Sequence, residues 1–138
     1  METSLPVEVI RQQNWLEPVA ERLQAAIAAV LDNSIGAKGA KVLHGTWLGH
    51  PLHVVLTDVP LGSWTAAAVF DVLEIANGNR AAQRAADSAI TVGLFAATAT
   101  AITGLADWSK IGGGESRRIG LAHGLLNVTA TACYLTSL

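Results

Sequence analysis

SAITVGLFAATATAITGLA (residues 88–106) is a run of 19 residues without a charged side chain. Roughly 18 or more apolar residues in a row read as a transmembrane helix, because about 20 residues rising ~1.5 Å each cross a hydrocarbon core of ~30 Å. Within this run Gly93, Ala97, Thr100 and Gly104 recur at helical spacing and make one smooth stripe. Small residues let backbones approach closely, the usual basis of helix packing in lipid, where burial itself supplies little drive. A soluble Ala-rich bundle could carry the same stripe. A second run of membrane length decides against it.

That second run is IGLAHGLLNVTATACYLTSL (119–138), whose only titratable groups are His123, Cys133 and Tyr134. On the other side of the first run, Leu52 to Leu73 has the right length but carries His53, Asp58 and Asp71. The expected fold is therefore all-α: a multi-pass transmembrane bundle of three spanning helices in residues 42–138. Trp47 and Trp108 would sit in the headgroup belts at helix ends, and Trp64, in mid-helix, would be a packing residue.

Residues 1–41 read as a separate N-terminal segment. Residues 1–14 are polar and irregular by composition, without the basic start and apolar run of a secretory signal. From Trp15 to Leu31, the apolar Leu16, Val19, Leu23, Ile27 and Val30 recur at steps of three and four, with Glu17, Glu21, Arg22 and Gln24 on the other face. This predicts an amphipathic helix, with Pro18 in its first turn, for a membrane surface or a bundle flank. DNSIGAKGAK (32–41) reads as a polar linker.

Composition limits the function. Only 14% of the 138 residues are charged, against about 25% in ordinary soluble domains. A net charge of −2 gives no basic stripe for nucleic acid. The single cysteine rules out an internal disulfide and any Cys-rich metal cluster, and no serine or cysteine has an adjacent base in a hydrolase or transferase motif. The GGG at 112–114 follows no strand and lacks the Lys-Ser/Thr of a phosphate loop, so it is a connector.

Topology brings the titratable groups together. With three spans, the start of the first, the end of the second and the start of the third share one side. His44, His50, His53, Asp107 and His123 all fall there. Lys38, Lys41, Lys110, Arg117 and Arg118 flank that side, against Arg80 and Arg84 on the other, which makes it cytoplasmic, N-terminus included. Ionisable groups at membrane depth are functional candidates by default. A neutral imidazole is a metal ligand, and His from facing helices can hold haem iron. His53 (or His50) and His123 are thus candidate ligands of a b-type haem, with Asp58 or Asp107 orienting an imidazole. A bare metal ion, a proton relay and a purely structural polar network remain open, with His50 as the cap of a helix that Pro51 starts, Asp58 answering backbone freed by Pro60 and Asp107 bonding the capping residues across this side.

GHPLH (49–53), DVPLG (58–62), GLADW (104–108) and AHGLLN (122–127), in that order, resemble a bacterial membrane-protein family, domain of unknown function 2231, over roughly residues 43–138. The leading NWLEPVAERLQAAI (14–27) resembles members in which this domain precedes a Rieske iron–sulfur domain. The resemblance implies a bacterial inner-membrane location, an electron-transfer setting and a Rieske-type partner. It also implies a fourth helix, which leaves three expectations open: a fragment, a split gene, or a subunit completed by a partner. A Rieske cluster needs paired Cys and His ligands, which one cysteine cannot provide, so such a centre would belong to the partner. The contrasting expectation is a non-catalytic anchor and assembly domain.

Overall fold

The computed structural model describes residues 8–10 and 12–138, and they are helical without a strand. The expectation of an irregular 1–14 falls partly outside the described residues; within them, 8–10 are helical. Four long helices follow: α1 (Leu16–Leu43), α2 (Leu52–Asn77), α3 (Arg80–Trp108) and α4 (Gly114–Thr136). Of these, α2 and α3 are long and apolar enough to cross a membrane. The expected third span, α4, is not among them. Its apolar run is diluted by His123, Asn127 and three threonines, and the helix begins earlier, taking in Glu115, Arg117 and Arg118.

The tightest packing is between α2 and α3, which run antiparallel. Their turn follows from two residues. Gly78, at φ 61°, closes α2 in the left-handed conformation that favours glycine, and Asn79 caps α3 by accepting a hydrogen bond from the Ala81 amide at 2.9 Å. The α3 residues turned inward are mostly small: Ala82, Ala86, Gly93, Thr100, Thr103 and Ala106 are buried. Large apolar side chains point out instead, with Ile75 81% and Phe95 76% exposed. A water-soluble bundle would invert that pattern; lipid contact accounts for it. Threonine hydroxyls on these helices donate back to the carbonyl four residues earlier, Thr65 to Leu61 and Thr98 to Leu94 among them. Each thus meets its hydrogen-bonding need within its own helix, which a hydrocarbon surrounding demands.

The sequence expectations for residues 15–41 need two corrections. The linker 32–41 is helical, and α1 runs through it with one break at Gly36 (φ 59°, ψ −175°), a conformation only glycine adopts without strain. The face that α1 docks is also not the expected apolar one. Ala20 is fully buried with Trp108 and Leu121, and Leu16 and Ile27 pack on them, but Val19, Leu23 and Val30 are exposed. The supposed outer face supplies the polar clamps. Gln24 Nε2 donates to the carbonyls of Trp108 (2.7 Å) and Ile111 (3.0 Å). Arg117 Nη1 donates to Glu17 (2.8 Å) and Glu21 (2.7 Å), and Arg118 Nη1 to Glu17 (3.0 Å).

Glu17 also lies against the start of α4, where a Cβ on Gly114 would meet its Oε2 at 2.9 Å. The N-cap Gly113 offers no side-chain cap, so a carboxylate from another helix supplies negative charge at that end. Arg117 and Arg118 are only 15% and 13% exposed at the side chain, and Glu17 23%. Removing Glu17 therefore takes a shared carboxylate from two arginines that water only partly solvates. Glu17→Ala is expected to destabilise the docking of α1 by about 2 kcal/mol, below the figure for a fully buried pair. Thermal unfolding in detergent, compared with Glu21→Ala at the more exposed site, measures it. Equal, negligible shifts for both would mean the clamp contributes nothing.

Candidate functional site

His53 sits one residue into α2, and its ring lies across α3. Its Nδ1 donates to the Thr100 carbonyl at 3.0 Å. That carbonyl is reachable because the residue one turn on is Gly104: a Cβ there would stand 2.7 Å from both Cε1 and Nδ1 of His53. Thr103 Oγ1 donates to the same carbonyl at 3.0 Å. The small-residue stripe thus faces α2, and the missing Cβ at Gly104 is the seat of the imidazole.

His123 approaches from α4. The two imidazole centroids are 6.4 Å apart with ring planes at 87°. His123 Nε2 accepts from the Asn127 amide at 3.1 Å, one helical turn away. Cα atoms of α2 and α4 do not come within 8 Å of each other, and the two rings reach across the gap between these helices at this level. A second bridge lies deeper: Trp64 of α2 stacks on Tyr134 of α4 with centroids 4.3 Å apart. Gly93 seats it, since a Cβ there would be 2.3 Å from the indole nitrogen. Trp64 is the packing residue its mid-helix position suggests.

The remaining expected residues fall elsewhere. Asp107 pairs with His44, Oδ1 to Nδ1 at 2.7 Å, joining the end of α3 to the end of α1. It therefore does not orient His53 or His123. Asp58 is exposed on α2, and among the described residues it has no hydrogen bond or ion pair, so it neither supports the His pair nor answers the backbone at Pro60. His50 is exposed in the turn before α2, and the N-cap is Pro51 rather than His50. Proline disfavours helical backbone in the residue before it, in keeping with His50 lying off the helix. One partner escaped the sequence reading, the Thr100 carbonyl, hidden in the stripe of small residues; His44, placed at this end by topology, pairs with an acid 63 residues away.

No group of three or more His, Cys, Asp or Glu converges among the described residues. The arrangement is a two-imidazole one. A metal–nitrogen bond is ~2 Å and a ring nitrogen lies roughly 1 Å from its centroid, so two imidazoles on one metal have centroids about 6 Å apart. The 6.4 Å separation fits that spacing. A hydrogen bond from the second ring nitrogen to a backbone carbonyl, as His53 has, is the usual way a ligating imidazole is oriented. His123 is less prepared, since the Asn127 amide occupies its Nε2 and leaves Nδ1. A concavity of about 270 Å³ lies well away, lined by Asp71, Asp87, Ile90, Cys133, Tyr134 and Ser137.

Comparison with known proteins yields a family. The model of a family described as a predicted membrane protein (DUF2231) matches residues 49–138. No curated protein and no solved structure matches the chain.

Proposed function

The chain belongs to the DUF2231 family of predicted membrane proteins, and from that premise we propose that it is a small membrane module for electron transfer, holding a b-type haem between His53 and His123. The observation that carries this reading is the 6.4 Å separation of two imidazoles contributed by different helices. When bound, haem iron exchanges single electrons. The chain's own residues would do the rest: the Thr100 carbonyl fixes the His53 ring and leaves Nε2 for the metal, Gly104 makes room for that ring, and Asn127 must release His123 if Nε2 is the ligating atom. In this reading α4 is a third span, completed by a helix from a partner or a second copy. The excess of basic residues at the His end supports a cytoplasmic orientation of that end in a bacterial inner membrane, and in this reading a Rieske-type protein exchanges the electrons.

A specific observation favours a second reading, an anchor without a cofactor. His53–Thr100, His44–Asp107 and Asn127–His123 satisfy these groups within the protein, which is what a structural network does. An absorption spectrum separates the two. Protein made in haem-replete cells and purified in detergent is expected to show a Soret band, lost in His53→Ala and in His123→Ala while helicity is retained. A folded, colourless wild-type protein refutes the haem and leaves the anchor.

A further inference from the structure

The helix α1 touches the rest of the protein at one end only. Along its length, Glu17 meets Arg117 and Arg118, Gln24 meets Trp108 and Ile111, Asp32 lies 3.9 Å from Lys110, and the next residue, His44, meets Asp107. Every one of these partners lies between residues 107 and 118, where α3 ends and α4 begins, and α2 starts beside them at Leu52. Two helical stretches joined by the break at Gly36, with all these contacts at one end of the bundle, lie across that end instead of extending the spans.

Its apolar arc is divided in two. Taking Val19 as zero on a wheel of about 100° per residue, Trp15, Leu23, Ala26 and Val30 fall within roughly 40° of it. All five are exposed, Trp15 by 67% and Val30 by 62%. The docked residues Leu16, Ile27, Ala20 and Gln24 lie about 60° to 140° round. Pro18, Arg22, Ala25 and Ala29 lie about 60° to 120° round the other way and are exposed. One flank of α1 is thus bound to the bundle, the next is apolar and uncovered, and the third is suited to water.

We infer that α1 is an interfacial helix, pinned on one flank to the end of the bundle and sunk on the next into the lipid headgroup layer. The occupant follows from position. Any membrane that α2 and α3 cross has a surface near Leu52 and Trp108, where those helices begin and end, and α1 lies across that level. An apolar strip headed by tryptophan at a bilayer surface gains by burial among acyl chains and headgroups. The inference rests on the membrane family and the two apolar helices, and holds with or without a haem.

Nitroxide labels read it directly. Cys133 is the chain's one cysteine, so Cys133→Ala provides the background for Val19→Cys, Leu23→Cys, Val30→Cys and, as the water-facing control, Ala25→Cys. The full chain is reconstituted in vesicles of phosphatidylcholine with a minority of phosphatidylglycerol, after melting curves show each variant folded. Labels at 19, 23 and 30 are expected to be several-fold more accessible to oxygen, relative to a water-soluble nickel chelate, than the label at 25. Equal nickel accessibility at all four sites would put the face in water and overturn the inference. Shielding of 19, 23 and 30 from both reagents would overturn it too, by showing that a protein surface, a second copy included, covers the face.

Discussion

Trp108→Ala is expected to be among the most destabilising single changes in this protein, at about 3–5 kcal/mol. Trp108 is 7% exposed and belongs to the one cluster in which three helices meet, with Ala20 of α1 and Leu121 of α4. Its ring lies over Gly120, where a Cβ would be 2.4 Å from Cδ1, and its Nε1 donates to the Arg117 carbonyl at 3.0 Å. Its own carbonyl accepts from Gln24. Truncation leaves a cavity and removes the indole hydrogen bond to α4 at the junction that holds α1 and α4 to α3. Thermal unfolding in detergent should show the loss, and limited proteolysis near residues 44–50 should quicken as α1 detaches. Trp108→Phe retains most of the volume and gives up one hydrogen bond, so its cost should be nearer 1 kcal/mol. A lipid-facing belt tryptophan behaves otherwise: both changes would leave stability almost untouched. Trp108 was expected in such a belt, and its burial corrects that reading.

The error is instructive about what a sequence shows. Trp47 and Trp108 both stand at helix ends, yet Trp47 is 65% exposed while Trp108 is core. Nothing local separates them; the difference is that Gly120 and Ala20, distant in the chain, offer Trp108 a seat. The two apolar helices were legible because a run without charge is a local property, and so was the face of α3 that meets α2, because small residues at helical spacing have one main use in lipid. The partners of polar groups were not. Asp107 was placed beside the His pair, but its hydrogen bond goes to His44, which folds back from α1. The face of α1 was misjudged for the same reason. Hydropathy assigned Glu17 and Gln24 to solvent, whereas the end of the bundle presents two arginines and two backbone carbonyls that those residues answer. Of the candidate site, the approach of His53 to His123 followed from topology alone, while the carbonyl that holds His53 is a backbone group and carries no side-chain signature.

Gly93→Leu and Gly104→Leu are each expected to cost about 3 kcal/mol, and their costs are expected to add. The reasoning starts from a register. His53 and Trp64 on α2 are eleven residues apart, as are His123 and Tyr134 on α4 and Gly93 and Gly104 on α3. Eleven residues make almost three whole turns and about 16 Å of rise, so each helix presents the same face twice. The result is two layers: an imidazole pair over Gly104, and a Trp–Tyr stack over Gly93. A Cβ would lie 2.7 Å from the ring in the first layer and 2.3 Å in the second, so even alanine displaces them, and leucine does so by several ångströms. Overpacking of this kind sits at the upper end of the usual 1–3 kcal/mol. In the first layer the His53–Thr100 hydrogen bond goes as well; in the second, Trp64 has little room to retreat because Tyr134 stacks behind it. Sites ~16 Å apart with no shared partner behave independently, so the double variant should lose the sum to within about 0.5 kcal/mol. Only Gly104→Leu should alter the histidine ring signals in a nuclear magnetic resonance spectrum, since Gly93 lies in the other layer. If the costs fell well short of additive, the layers would share one rigid displacement of α4, and three turns of helix would be too short to insulate them. If Gly93→Leu left the melting curve unchanged, Trp64 would have space beside α3 that a 2.3 Å approach denies.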